Sequence, residues 1–265
     1  MFNNNDDLDL LSCVFEDNTA RGDSGGNVYG GAVLVDSDNN FMTLQNCSLF
    51  GNLVRGEGGS SRAYGGALCV YIANPDLTLE NCVFTDNTAM GVGGGSAYGG
   101  GVYLATNNDD MTLLNCFFMG NTARGEIGGV VYGGGAYVDS NNDGVSLLNC
   151  AFSENSAGSG GALYFNSANS YAVLWNVTCR SNFADADGDA LALISTNYHM
   201  NINQCTFSDN QAGIAGMGPT FFVCKMLFLF TVIFIFMQLC SNTVCLCCVD
   251  VCLFVCLFVL LFSLS

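Results

Sequence analysis

A repeat of 27–35 residues constrains this chain more than any other feature of its sequence. One asparagine closes each copy, and successive asparagines are 34, 35, 34, 34, 27 and 28 residues apart: Asn18, Asn52, Asn87, Asn121, Asn155, Asn182 and Asn210. A cysteine column precedes it, with Val177 in place of one cysteine: Cys13, Cys47, Cys82, Cys116, Cys150 and Cys205. A fixed period in this range is typical of a solenoid or another repeat array.

The apolar residues within one copy alternate with polar ones. Leu77 and Leu79 show this period of two, and Cys82 and Phe84 resume it after a shift at Asn81. Such alternation predicts two short strands joined by a bend, and a third strand is predicted after the glycines of each copy. The sequence therefore predicts an all-β fold, a parallel β-helix of about seven coils with three strands per coil, followed by a hydrophobic C-terminal tail.

Two short motifs recur in register along the repeats. Phe-x-x-Asn begins at Phe15, Phe84, Phe118, Phe152 and Phe207. Gly-Gly-Ala begins at Gly30, Gly65, Gly134 and Gly160. This pattern resembles the repeats of chlamydial polymorphic outer-membrane proteins and, more broadly, the right-handed parallel β-helix repeats of the pectate-lyase-like superfamily. The resemblance covers about residues 8–213. It implies a right-handed solenoid that is exposed on a cell surface and used in adhesion.

The charge of the chain limits its partners. Six basic residues face 23 acidic ones, which gives a formal net charge of −17. Nucleic-acid phosphates require clustered Lys and Arg, so the sequence predicts no nucleic-acid partner. An acidic, self-repelling exterior is instead expected, with glycans or surface proteins as partners.

The sequence does not predict an enzyme. The single histidine, His199, excludes any zinc site that needs two histidines, and it is predicted to be a surface residue. By the resemblance, enzymes of this fold place Asp, Arg or Lys clusters on one strand face, whereas the arginines here are predicted to lie in bends. The alternative kept open is a degenerate or partial carbohydrate-active enzyme, similar to a polysaccharide lyase or hydrolase.

One acidic segment is a candidate metal site. Asp185, Asp187 and Asp189 alternate around a glycine in the sequence DADGDA, where other coils carry Gly-Gly-Ala. Alternating carboxylates can ligate calcium, and they can also form a solvated acidic bend. No other cofactor is predicted.

Two further groups of residues are candidate surface sites. Arg21, Gly22 and Asp23 spell an integrin-binding tripeptide in a segment predicted to be a glycine-rich bend, although related triplets recur in other coils. Asn46 and Asn176 begin glycosylation sequons and are both predicted to lie at the bend between two strands.

The cysteine column has two interpretations. Unbonded cysteine packs as a small hydrophobic residue, which predicts a buried ladder of free thiols. Neighbouring rungs of a solenoid are also close enough for an occasional disulfide.

The composition changes abruptly near Gly218. We expect a β-helix domain over residues 1–215 and a hydrophobic tail over 219–265, which contains only Lys225 and Asp250 as charges. The tail has the length of one or two membrane spans and also permits a lipid-anchor signal. The alternative kept open is translated non-coding sequence, since Cys-Leu-Phe-Val is repeated in tandem over 252–259.

The location of the protein follows from these expectations. The chain starts within a repeat and shows no secretory leader, so we expect a fragment truncated at its N-terminus. The function predicted from the sequence is a non-catalytic scaffold at the cell surface or outside the cell. It would be anchored in a membrane by the tail and would bind glycans or proteins as an adhesin does.

Overall fold

A computed structural model describes residues 5–23, 25–126 and 128–212, together with the backbone of 221–224. The described chain consists of short parallel strands that stack into five sheets along one solenoid. Each strand pairs with the equivalent strand of the next repeat, as Leu79 pairs with Leu113 and Leu113 with Leu147. The predicted all-β parallel solenoid is confirmed.

The first three sheets follow one another closely around each coil. Sheet 1 contains Asp9–Leu11, Thr43–Gln45, Thr78–Glu80, Thr112–Leu114, Ser146–Leu148, Val173–Trp175 and Asn201–Asn203. Sheet 2 contains Val14–Glu16, Ser48–Phe50, Val83–Thr85, Phe117–Met119, Ala151–Ser153, Thr178–Arg180 and Thr206–Ser208. Sheet 3 contains Thr19–Gly22, Leu53–Glu57, Thr88–Val92, Thr122–Gly125, Ser156–Ala157, Phe183–Ala184 and Gln211–Ala212.

The remaining two sheets close the coil. Sheet 4 contains Asn27–Tyr29, Arg62–Tyr64, Ser96–Tyr98 and Val131–Tyr132. Sheet 5 contains Val33–Ser37, Leu68–Ile72, Val102–Leu104, Ala136–Val138, Leu163–Phe165, Leu191–Ile194 and Phe221–Cys224. The first four repeats thus form coils with all five strands, and the shorter fifth and sixth repeats, which the structure describes through this region, lack the strand of sheet 4.

The prediction of three strands per coil was wrong. The segment that was interpreted as a glycine-rich bend contains the strands of sheets 3 and 4. Their inward residues are mostly small, such as Ala89 and Ala97, and they pack into a cluster of their own. Because alanine and glycine carry little hydrophobic signal, the alternation in these strands is difficult to recognise from the sequence.

The main core is a set of ladders in which like residues stack from coil to coil. Leu79, Cys82 and Phe84 are completely buried, as the alternation predicted. The Phe118 ring lies 4.7 Å from that of Phe84 and 4.5 Å from that of Phe152, and the rings are nearly parallel. One coil cannot bury this apolar edge by itself, so stacking of successive coils supplies the hydrophobic stabilisation.

Buried asparagines form a second kind of ladder at the turn between sheets 2 and 3. The Asn121 side chain donates to the Phe84 carbonyl and to Asn155 Oδ1, both at 2.9 Å. Its own Oδ1 accepts from the backbone and the side-chain amide of Asn87. Every polar group of the amide is therefore paired, which buried amides require. A second buried asparagine ladder, which was not predicted from the sequence, lies between sheets 5 and 1: Asn39, Asn74, Asn108, Asn142, Asn169 and Asn197.

Glycine is required where successive coils approach most closely. A Cβ atom at Gly100 would overlap the carbonyl oxygen of Gly134 in the next coil. The preceding residue, Gly99, has a φ of 66°, which favours glycine for a second reason. The repeated Gly-Gly pair is therefore a packing feature of the solenoid.

The predicted tail is mostly outside the described residues. Its first residues, Phe221–Cys224, form a strand that pairs with Leu191–Ile194 in sheet 5. In the part of the chain that the structure describes, no helix is long and apolar enough to cross a membrane. The predicted anchor over 219–265 otherwise falls on residues that are not described.

Candidate ligand-binding face

The outer face of sheet 2 carries several apolar residues in the first four coils, with Glu16, Ser48 and Thr85 among them. The middle residue of each strand points into the core, and the first and third residues point outward. Val14 is 64% exposed, Phe117 is 53% exposed and Met119 is 46% exposed. Such a strip is notable on a chain with a net charge of −17, because exposed apolar surface commonly marks an interaction site.

An open groove of about 530 Å³ lies on this face and spans the first three coils. Its lining comes from three columns: the first strand residues Val14, Ser48 and Val83, the third strand residues Phe50 and Thr85, and the bend residues Asp17, Gly51 and Asp86. The groove therefore combines an apolar surface with carboxylates at one edge. We call these eight residues the sheet 2 groove.

The carboxylate edge follows from the conformation of the bend between sheets 2 and 3. Each bend residue has a positive φ, which Asp and Gly adopt more readily than most residues. Asp17 Oδ1 occupies the space that a Cβ atom at Gly51 would need, and Asp86 Oδ1 does the same at Gly120. Aspartate and glycine thus alternate along the rod, and each carboxylate lies over the glycine of the next coil.

The two carboxylates of the groove are available to a ligand. Asp17 and Asp86 are both exposed, and neither forms an ion pair with another described residue. They belong to the first and third coils, so their separation along the rod is about 9.6 Å by the spacing of parallel strands. Their oxygens can therefore accept hydrogen bonds from hydroxyl, amide or ammonium groups of a bound molecule.

An exposed asparagine ladder forms the opposite edge of sheet 2. Its members have φ values of 53–55° and lie at the bend from sheet 1: Asn46, Asn81, Asn115, Asn149 and Asn176. Their side chains donate to one another at 3.0–3.2 Å. The outer face of sheet 2 is consequently bordered by amides on one side and by carboxylates on the other.

Both predicted sequons lie in this exposed ladder, at the bend where the sequence placed them. Asn46 accepts a hydrogen bond from Asn81, and Asn176 donates one to Asn149. Ser48, the third residue of the first sequon, also lines the sheet 2 groove. A glycan on Asn46 would therefore lie beside the groove, while Asn176 belongs to the sixth coil.

The tripeptide Arg21, Gly22 and Asp23 is not a free loop. Arg21 and Gly22 belong to the strand Thr19–Gly22 of sheet 3, which corrects the prediction of a bend. Arg21 forms ion pairs with Asp23 at 3.4 Å and with Glu57 at 2.8 Å. The hydrogen bonds of Arg21 and then Arg55 hold the pKa of Glu57 below its usual value. This guanidinium is therefore occupied by carboxylates of the same molecule.

The three aspartates of the candidate metal site have different environments. Asp185 and Asp187 are exposed, whereas Asp189 is only 3% exposed and its Oδ1 has no hydrogen-bond partner. Burial, with a smaller effect of the Asp187 charge, raises the pKa of Asp189 to about 6. Among the residues that the structure describes, no three His, Cys, Asp or Glu side chains form a group that could hold a metal ion. Calcium binding by these aspartates stays a prediction.

The cysteine column lies inside the solenoid and is not bonded. Cys47, Cys82, Cys116 and Cys150 are buried free thiols. The Cys116 thiol donates to the carbonyl of Leu79 at 3.4 Å, and its neighbours make equivalent bonds. The structure therefore agrees with the first interpretation, a buried ladder of free thiols, for the described cysteines.

A cluster of tyrosines covers the outer face of sheet 5. Two stacked columns meet there, with ring centroids 4.5–5.5 Å apart in the closest pairs: Tyr29, Tyr64, Tyr98 and Tyr132 in one, and Tyr103, Tyr137 and Tyr164 in the other. The Tyr103 hydroxyl donates to Asp139 at 2.7 Å, and burial raises the pKa of Tyr103. The outward packing of these tyrosines was not predicted from the sequence.

His199 lies in a bend and stacks on another exposed ring. The centroids of its imidazole and the Tyr171 ring are 5.0 Å apart. Tyr171 is 61% exposed. The pair therefore lies on the surface, at the bends that precede the last two strands of sheet 1.

Comparison with known families agrees with this geometry. The family model described as a right-handed β-helix region matches residues 31–221. The chain belongs to this family. Searches of curated proteins and of solved structures found no match. The predicted right-handed β-helix repeat is thereby confirmed, and a family of this kind includes both surface proteins and carbohydrate-active proteins.

Proposed function

We propose that this β-helix protein is a non-catalytic scaffold of the cell surface or the extracellular space. It binds glycans or proteins, as an adhesin does, and the outer face of sheet 2 is its binding surface. The observation that carries the proposal is the sheet 2 groove, an exposed apolar surface on an otherwise acidic rod. Pockets of this composition, with a few polar groups at their edges, are typical of binding sites.

The second candidate, a carbohydrate-active enzyme, rests on the two groove carboxylates, whose spacing is just above the range of inverting glycosidases. Inverting glycosidases hold two carboxyl groups about 6.5–9.5 Å apart, and Asp17 and Asp86 are about 9.6 Å apart along the rod by strand spacing. Both are exposed, however, whereas a general acid is normally held in an apolar environment that keeps it protonated. The groove therefore supports binding better than catalysis.

The test uses the full chain and a double variant, Phe50→Thr with Val83→Ser. Thr85 and Ser48 occupy the same columns in neighbouring coils, so these side chains suit the fold. Leu114→Gln on sheet 1, where Gln45 occupies the same column, is the matched control. We expect immobilised wild-type and control proteins to retain ligands from a panel of oligosaccharides and purified extracellular proteins, and the double variant to lose them.

The same panel separates binding from catalysis. Polysaccharides incubated with the chain should release no new reducing ends and no unsaturated products. Products that disappear with Asp17→Asn or Asp86→Asn would favour the enzyme. Equal retention of ligands by the wild type, the double variant and the Leu114→Gln control would contradict the proposed binding surface.

A further inference from the structure

The strand positions of sheet 2 repeat along the rod. Its columns run parallel to the solenoid axis, with equivalent residues about 4.8 Å apart. The groove spans three coils, and the apolar strip continues from it through Phe117 and Met119 in the fourth. The outward side chains differ between coils, but their positions repeat, so the strip offers successive contacts to an extended ligand that lies along the axis.

The chemistry across the face has a consistent order. Apolar side chains, including Phe50 and Val83, occupy the centre, with the asparagine amides on one edge and the carboxylates of Asp17 and Asp86 on the other. Sugar rings have apolar C–H faces and hydrogen-bonding groups at their edges. A pyranose that lies flat on the centre would direct its hydroxyl or amide groups towards both polar edges.

The charge of the face selects among glycans. Asp17 and Asp86 line the groove, Glu16 lies on the same strand face, and no basic residue lines the groove. In the first four coils the arginines lie on sheets 3 and 4, where Glu57 pairs with two of them. This arrangement repels uronic acids and sulfated sugars and attracts ammonium groups.

We infer that the sheet 2 face binds an extended polysaccharide of neutral or amino sugars, which lies along the rod with one disaccharide for every two coils. The inference rests on the proposed function and specifies its ligand. The alternation of Asp17, Gly51, Asp86 and Gly120 sets the period of two coils, about 9.6 Å, because a carboxylate recurs only in every second coil. That length is comparable to the disaccharide repeat of an extended polysaccharide, and an amino or N-acetylamino group could meet a carboxylate at each repeat.

The experiment is calorimetric titration of the full chain with three hexasaccharides. The first is the β-1,4-linked hexamer of N-acetylglucosamine, the second is its de-N-acetylated form, and the third is an anionic oligogalacturonate of the same length. We expect the first two to bind and the third not to bind. Phe50→Thr with Val83→Ser should weaken binding of both by about tenfold or more, a loss of about 1.4 kcal/mol or more, whereas Leu114→Gln should not.

A second variant keeps the test decisive if the first does not fold. Asp17→Asn with Asp86→Asn changes two exposed side chains at bends where asparagine also tolerates a positive φ. It should weaken binding of the de-N-acetylated hexamer by about tenfold and that of the acetylated hexamer by less, because only the former carries ammonium groups.

The outcomes also separate this inference from the proposed function. Binding of the oligogalacturonate alone, or of proteins alone, through the sheet 2 face would overturn the assignment of neutral or amino sugars and leave the proposed function intact. Binding that none of the sheet 2 substitutions changes would overturn both. Equal loss of the two hexamers in the Asp variant would overturn the role of the carboxylates in selecting amino sugars.

Discussion

The inner and outer sides of sheet 2 follow opposite rules. Inside, the middle position of the strands is Phe, Leu or Cys in every coil, and these residues stack on one another. Outside, the first position alone contains Val, Ser, Phe, Ala and Thr in different coils. The inner side must fill a core of constant width, so each coil needs a similar residue. The outer side lacks that constraint, and its local apolar stretch and groove are therefore the features that call for a functional explanation.

The largest difference in the free energy of unfolding is expected between substitutions of two neighbouring phenylalanines in one strand. Phe118 points inward and is 1% exposed, while Phe117 points outward. Phe118→Ala should lower the free energy of unfolding by about 3–5 kcal/mol, because it leaves a cavity between two stacked rings. Phe117→Ala should change it by less than about 0.5 kcal/mol. Denaturant unfolding of both variants measures the contrast, and comparable losses would show that the outer face is also structural.

The two asparagine ladders offer a second contrast with the same residue type. Asn121→Ala would leave the buried amides of Asn87 and the Phe84 carbonyl without partners, at a cost of about 3 kcal/mol. Asn115→Gly in the exposed ladder should cost less than about 1 kcal/mol, since glycine adopts its positive φ and water can replace the lost amide bonds. Thermal unfolding of both variants checks this, and equal losses would contradict the assigned difference.

Asp189 is a buried carboxylic acid, and its ionisation should lower the stability of the fold in a pH-dependent way. The native state raises its pKa from 3.8 to about 6, so the native protein holds this proton more strongly than the unfolded chain does. Its contribution is therefore greatest below about pH 4 and is lost as the pH rises to about 6. Asp189→Asn should remove this loss and stabilise the protein at pH 7 by up to about 3 kcal/mol. The difference between wild-type and variant unfolding curves at pH 4 and pH 7 measures it.

Asp185→Asn is the control for that experiment, because Asp185 is exposed and lies in the same segment. It should leave the pH dependence of stability almost unchanged. A stabilisation of Asp189→Asn that is the same at both pH values would show that the carboxylate charge is not the cause.

The smallest effect on stability is expected from glycosylation of the two sequons, which should instead differ in their effect on binding. A glycan on Asn46 would lie next to Ser48 in the sheet 2 groove, and one on Asn176 would lie three coils from the nearest groove strand. We expect Asn46 modification to reduce oligosaccharide binding and Asn176 modification not to reduce it. Enzymatic removal of the glycan from each single-sequon variant, followed by titration, tests this; an equal effect of both would place the binding surface elsewhere.

Strands could be predicted from the sequence wherever large apolar residues alternate with polar ones. Leu79, Cys82 and Phe84 identified two strands and the bend at Asn81, because apolar alternation and an asparagine at positive φ are both strong local signals. The strands of sheets 3 and 4 were missed, because most of their inward residues are alanines. Small side chains allow a close approach that only the stacked coils reveal.

The candidate site was less predictable than the fold. The sequence proposed the acidic segment at Asp189 and the tripeptide at Arg21, both of which stand out locally in the chain. The sheet 2 groove instead combines Val14, Phe50 and Val83 from three coils. Each is unremarkable in its own repeat, and their proximity depends on the register between coils. The sequence did contain one signal: in successive copies, apolar residues occupy outward strand positions where polar residues are expected.

Photo-crosslinking tests the central claim most directly, namely that the outer side of sheet 2 is the binding surface. The probe is the N-acetylglucosamine hexamer that carries a diazirine, and peptide mass mapping of the irradiated full chain locates the adducts. We predict adducts in the segments 14–17, 48–51 and 83–86, and their loss on competition with unlabelled hexamer. Competable adducts confined to another sheet, or none at all, would contradict the account.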